Sequence, residues 1–109
     1  MIDKLTDKLF TSIKQSSEYK NYLKARKKVD NNMHIISLLT TIKKMQQEAT
    51  KKEYKKDIGY KIIDKEINKL KEELDNNVLY QDYLTKKEEL NNMLSMIVDI
   101  INKYVEDIV

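Results

Sequence analysis

The chain has 109 residues with one Gly and no Pro, Cys or Trp; 36% are charged and the net charge is +3. That length suits a single domain, residues 1–109, and the near absence of turn-forming residues excludes an all-β sandwich and points to long helices. Without Cys, disulfides, thiolate nucleophiles and Cys-bound zinc or iron–sulfur centres are excluded, which fits a reducing cytoplasm. Met1 leads straight into the charged amphipathic run MIDKLTDKLF, so no signal peptide is expected, and no apolar run reaches the length of a membrane span.

Five helical segments follow from apolar periodicity. The first runs to about Lys14, with Ile2, Leu5, Leu9 and Ile13 on one face and Phe10 at its edge. QSS breaks it, and Ser16 or Ser17 is suited to cap the second helix, SEYKNYLKARKKV. There Tyr19, Tyr22, Leu23 and Val29 share a face. Lys20, Lys24 and Lys27 share the opposite one, Lys28 beside them, and Arg26 falls on the apolar side, where it is expected to snorkel. DNN (30–32) is the next break, with Asp30 a suitable cap. The third helix places Ile35, Leu38, Leu39, Ile42, Met45 and Ala49 at helical spacing. Gly59 marks a turn between about Tyr54 and Tyr60. The fourth helix carries Ile63, Ile67, Leu70 and Leu74 on one side and stops near DNN (75–77), where Asn tolerates a left-handed conformation. The fifth runs from about Leu79 to the end of the chain.

That last segment is the most apolar. On a helical projection its apolar residues from Leu90 to Val109 cover about 220° of the circumference, against a little over ~100° for an ordinary surface helix. One stripe comprises Leu90, Leu94, Ile97, Ile101, Tyr104 and Ile108, spaced 4-3-4-3-4 as in coiled-coil packing. Met93, Met96 and Ile100 lie on one flank, Val98 and Val105 on the other. Two stripes need two covers. The expected self-interface is therefore Leu90, Met93, Leu94, Ile97, Ile100, Ile101, Tyr104, Val105 and Ile108, most simply in a homodimer. The alternative is a monomer whose first helix folds back over the second stripe. Asp99, Glu106 and Asp107 against Lys103 give the wrong charge balance for anionic lipid, so no membrane partner is expected.

Catalytic groups are scarce. His34 is the single histidine, and no phosphate loop, dinucleotide fingerprint or HExxH motif is present. Adjacent acids at Glu72–Glu73 and Glu88–Glu89 point about 100° apart on a helix, so neither pair forms a metal site by itself. No cofactor, metal or small-molecule substrate is expected, and the chain reads as a non-enzyme. Charge is uneven: residues 1–55 carry thirteen Lys/Arg against six Asp/Glu, +7, and residues 56–109 carry eight against twelve, −4. The basic half suits an acidic partner or RNA, or simply complements the other half. Lys20, Lys24, Lys27 and Lys28 are the candidate partner surface, and KKEYKKDIGYK interleaves aromatics with Lys as single-strand binders do.

Taken in order, SSEYKNYLKARKKVDNN, IKKMQQEA and INKLKEELDNNVLYQDYLTKKEELNNMLSMIVDII resemble the YlbF/YmcA (control-of-competence) family of Gram-positive bacteria, YmcA-like members above all. The resemblance runs from about Ser17 to the end. It implies an all-helical, usually oligomeric subunit with a non-catalytic accessory role. Family members of the YlbF and YmcA types act with a YaaT-type partner, supporting RNase Y-dependent mRNA processing and affecting competence, sporulation and biofilm formation. Val78 stands where relatives commonly have Pro. Relatives that share an iron–sulfur cluster supply Cys; this chain has none, so no cluster is carried over. The expectation is an all-α, antiparallel helical bundle with a long C-terminal helix, homodimeric and cytoplasmic, acting as a regulatory adaptor. The alternatives are direct RNA binding through a Lys/Tyr-rich surface, and a structural homodimer without the family's partner complex.

Overall fold

A computed structural model describes residues 2–108 as five helices: α1 (Ile2–Gln15), α2 (Ser17–Asp30), α3 (Met33–Tyr54), α4 (Tyr60–Asp75) and α5 (Val78–Ile108). No strand occurs among the described residues. The expected places of the Ile2 side chain and of Val109 lie outside the described residues.

The breaks fall where short polar side chains replace a backbone partner. At the start of α2 the Tyr19 N–H donates to Oγ of Ser16 at 3.2 Å, and the Ser16 hydroxyl donates to the Ile13 carbonyl. Asn32 accepts from the Ile35 N–H at 3.0 Å, and Asn77 accepts from the Tyr80 N–H at 3.1 Å. Each satisfies one of the free donors at a helix start. Asp30, expected to cap α3, is instead the last residue of α2. Three Asx residues compete for that cap, and Asn32 holds the extended backbone (φ −96°, ψ 106°) that a cap requires. Asn76, after α4, stays right-handed at φ −85°. The left-handed residue is Lys56, at φ 60°, in the turn between α3 and α4. Gly59 itself is right-handed at φ −58°, with its N–H bound by the Asp57 carboxylate at 2.8 Å.

The chain forms two compact units. One runs from Lys27 to Gln81 and holds α3 and α4; the other takes α1, α2 up to Arg26, and α5 from Asp82 onward. In the first, α3 and α4 pack as a helical hairpin joined by residues 55–59. His34, at the start of α3, lies 3.1 Å from the Glu73 carboxylate near the end of α4, so the two helices run antiparallel. The apolar side chains buried in this unit are Val29, Ile35, Leu38, Ile42, Ala49, Ile67 and Leu74, with Ile35 completely enclosed. Leu39, expected on the core face, is exposed at the edge of that stripe.

In the other unit Ala25 and Leu90 are buried, and the rings of Tyr22 and Tyr83 meet with centroids 5.8 Å apart at a tilt of 31°. Such a pair adds about 0.5–1.5 kcal/mol beyond the area it buries. Leu23, placed with the apolar face of α2 by its spacing, is exposed, as are Leu5 and Phe10 on α1.

Candidate functional site

Burial along α5 changes once. Leu90 is buried, and Met93, Leu94 and Ile97 are half-buried. Every residue from Val98 to Ile108 is exposed. The apolar side chains there are as open as the polar ones: Ile100, Tyr104 and Ile108 are 66%, 67% and 66% exposed. At 1.5 Å per residue, these residues form a rod of about 16 Å. The sequence pattern suggests an inner and an outer stripe side by side. In the structure the division runs along the axis instead, with the chain's own cover ending at Ile97. An open concavity of about 340 Å³, lined by Asn91, Leu94, Ser95, Val98 and Asp99, lies at that transition.

The nine residues expected at a self-interface thus divide into four and five. Leu90, Met93, Leu94 and Ile97 belong wholly or partly to the subunit's own packing. Ile100, Ile101, Tyr104, Val105 and Ile108 are open. With Met96 and Val98 also more than half exposed, they make a contiguous apolar surface. Apolar patches of this kind mark association sites, since water contact with each large aliphatic side chain forgoes roughly 1.5–3 kcal/mol of burial. The fold-back of α1 onto this stripe does not occur: the distal α5 residues are uncovered, and so are Leu5 and Phe10.

On α2, Lys20, Lys24, Lys27 and Lys28 are all exposed, the last two in the final turn, where they complement the negative end of the helix dipole. Arg26 is exposed, as snorkelling requires. His34 is exposed and faces Glu73. Exposed pairs of this sort contribute at most about 1 kcal/mol and do not assemble a reaction centre. Among the described residues no three His, Asp or Glu side chains come together as a metal site. Among the described residues no helix is long and apolar enough to cross a membrane.

One surface lacked a signal strong enough to be singled out from periodicity. An open concavity of about 700 Å³ lies against α3 and is lined by Lys43, Gln46, Gln47, Thr50 and Lys51. Their spacing puts them on one face of α3, which supplies every one of these lining residues.

The sequence profile described as "Control of competence regulator ComK, YlbF/YmcA" matches residues 2–106. A comparison with curated proteins finds no match. Among solved structures the chain is similar to Bacillus subtilis RicA, whose X-ray structure is of RicA in complex with RicF. The TM-score is 0.88 at 20% sequence identity, over 97% of this chain and 94% of that one. At that identity the likeness speaks for the fold: a five-helix, all-α chain of the RicA kind. With the profile spanning nearly its whole length, the chain belongs to the YlbF/YmcA family of control-of-competence regulators.

Proposed function

We propose that this protein is a non-catalytic regulatory adaptor of the cytoplasm whose working part is the uncovered end of α5. The observation that carries this reading is the exposed apolar surface built from Ile100, Ile101, Tyr104, Val105 and Ile108. A helix with such a surface is matched by another helix offering the same kind of face. In this reading residues 1–109 act as one functional domain, and α5 pairs either with a second copy or with a YlbF-like relative. The RicA structure, determined in complex with RicF, supports a partner from within the family. A YaaT-like protein and RNase Y complete the proposed machinery. Its output is mRNA processing, with effects on competence, sporulation or biofilm development. The Lys20, Lys24, Lys27 and Lys28 stripe on α2 serves as a second contact, for an acidic surface.

Affinity purification from the native host tests the reading. Wild type should retain YlbF-like and YaaT-like proteins and RNase Y, and Ile101→Glu with Ile108→Glu should lose them. Burying two carboxylates in an apolar seam costs at least ~2 kcal/mol, about 30-fold in affinity. A wild type that associates only with itself would leave a structural homodimer in place of the adaptor. Retention undiminished by the double substitution would remove α5 as the docking element.

A further inference from the structure

The open end of α5 has a counterpart at the other end of the chain. On α1 every side chain from Asp3 to Lys8 is exposed, Leu5 at 66%; Leu9 and Ile13 are half-buried, and Phe10 is 56% exposed. Cover along α1 thus begins only at Leu9, as cover along α5 ends at Ile97. Leu5 and Leu9 lie about 40° apart on one face. Lys8 and Lys4 follow on the flank beside Leu5, with no acid between them, and Asp3 and Asp7 are turned to the far side. Asp3 nears only the Phe10 edge, about two turns away along the axis. The open end of α5 is acidic instead: Asp99, Glu106 and Asp107 against Lys103, net −2, with Asp107 next to Ile100 around the helix.

We propose that α1 of a second copy lies along Val98–Ile108 of α5, and that the first copy's α1 does the same in return. This inference rests on association through α5 and names the segment that covers it. The exchange is reciprocal, so it closes as a two-fold dimer and leaves neither apolar surface wet. Fourteen residues give α1 a length of about 21 Å, enough to follow the whole rod of about 16 Å. Leu5, Leu9 and Phe10 supply apolar contact, and Lys4 and Lys8 meet the acidic rim. Two α5 ends alone would instead set net −2 against net −2, which opposes association. Ile58 and Ile62, the other exposed aliphatics set among lysines, are one turn apart and reach about 6 Å, too little to cover the rod.

The chain has no Cys, so introduced thiols report only their own neighbours. An isotope-labelled Leu5→Cys or Phe10→Cys chain is mixed with an unlabelled Ile101→Cys, Tyr104→Cys or Ile108→Cys chain and mildly oxidised. Mass spectrometry then measures the labelled–unlabelled disulfide. A disulfide needs Cα atoms within about 7 Å, so at least one pairing should exceed, by about tenfold, the yield from Thr11→Cys, which lies opposite Leu9 on α1. Lys4→Glu with Lys8→Glu in one chain, and Glu106→Lys with Asp107→Lys in another, should each weaken self-association about tenfold. Mixing the two chains should restore it, because each α1 then meets an α5 of opposite charge. All the substituted residues are exposed, and circular dichroism verifies that each variant folds. Disulfides between two Ile108→Cys chains, with Leu5→Cys and Phe10→Cys at the control level, would overturn the inference and leave association through α5 intact. So would a disulfide closing within one highly diluted chain that carries both Leu5→Cys and Tyr104→Cys, since the cover would then be the chain's own α1. A wild type that stays a single chain would overturn it too, and would leave pairing with a YlbF-like relative to its own purification test.

Discussion

Asn32 and Asn77 each hold a helix start by accepting one backbone N–H, of Ile35 and Tyr80 respectively. Replacing Asn32 by Ala should cost about 1 kcal/mol, measured by urea denaturation in the Ile101→Glu, Ile108→Glu background. Lys56 is the opposite case, a long side chain held at φ 60°. The left-handed region costs an L-residue about 1–2 kcal/mol, and glycine's extra unfolded-state freedom takes back about 0.5–1, so Lys56→Gly should stabilise by about 0.5 kcal/mol. Ile35 is enclosed in the α3–α4 unit, and Ile35→Ala should destabilise by about 2–5 kcal/mol. The caps were only partly legible in the sequence. An Asx-rich break announces that a helix starts, but DNN offers three candidates, and the one that caps is decided by which residue reaches an extended backbone. The left-handed turn was less legible still, because Gly59 drew attention three residues away from the position that carries it.

Among the elements, α3 and α4 are the legible ones. Their apolar residues recur at helical spacing, and Ile35, Leu38, Ile42, Ala49, Ile67 and Leu74 are the residues buried. Periodicity works here because each helix has one neighbour to face within its unit. On α5 it works less well. Spacing reports the apolar arc around a helix and says nothing of how far along the axis the covering elements extend. That is why Leu90, Leu94 and Ile97 differ in burial from Ile101, Tyr104 and Ile108 although all six share one stripe. The exposed end has a dynamic consequence. In the dilute subunit, amides from Val98 to Ile108 have only intrahelical bonds to protect them and should exchange with solvent much faster than those near Leu90. On association they should become protected. Hydrogen exchange read by mass spectrometry at two protein concentrations resolves this, and uniform protection along α5 at low concentration would contradict it.

For the molecule as a whole, seven exposed large apolar side chains, from Met96 to Ile108, gather at one end of α5. Its family membership and its helical architecture were legible in the order of the segments, SSEYKNYL through LNNMLSMIVDII, although each segment alone is an ordinary amphipathic pattern. Association through α5 is the claim on which the proposed function rests. Sedimentation equilibrium across a concentration series tests it most directly. Wild type should exceed the 13.0 kDa mass of one chain, and Ile101→Glu with Ile108→Glu should sediment at that mass with unchanged helicity. A wild type that remains a single chain at every concentration and gains no mass on mixing with a YlbF-like relative would contradict the account.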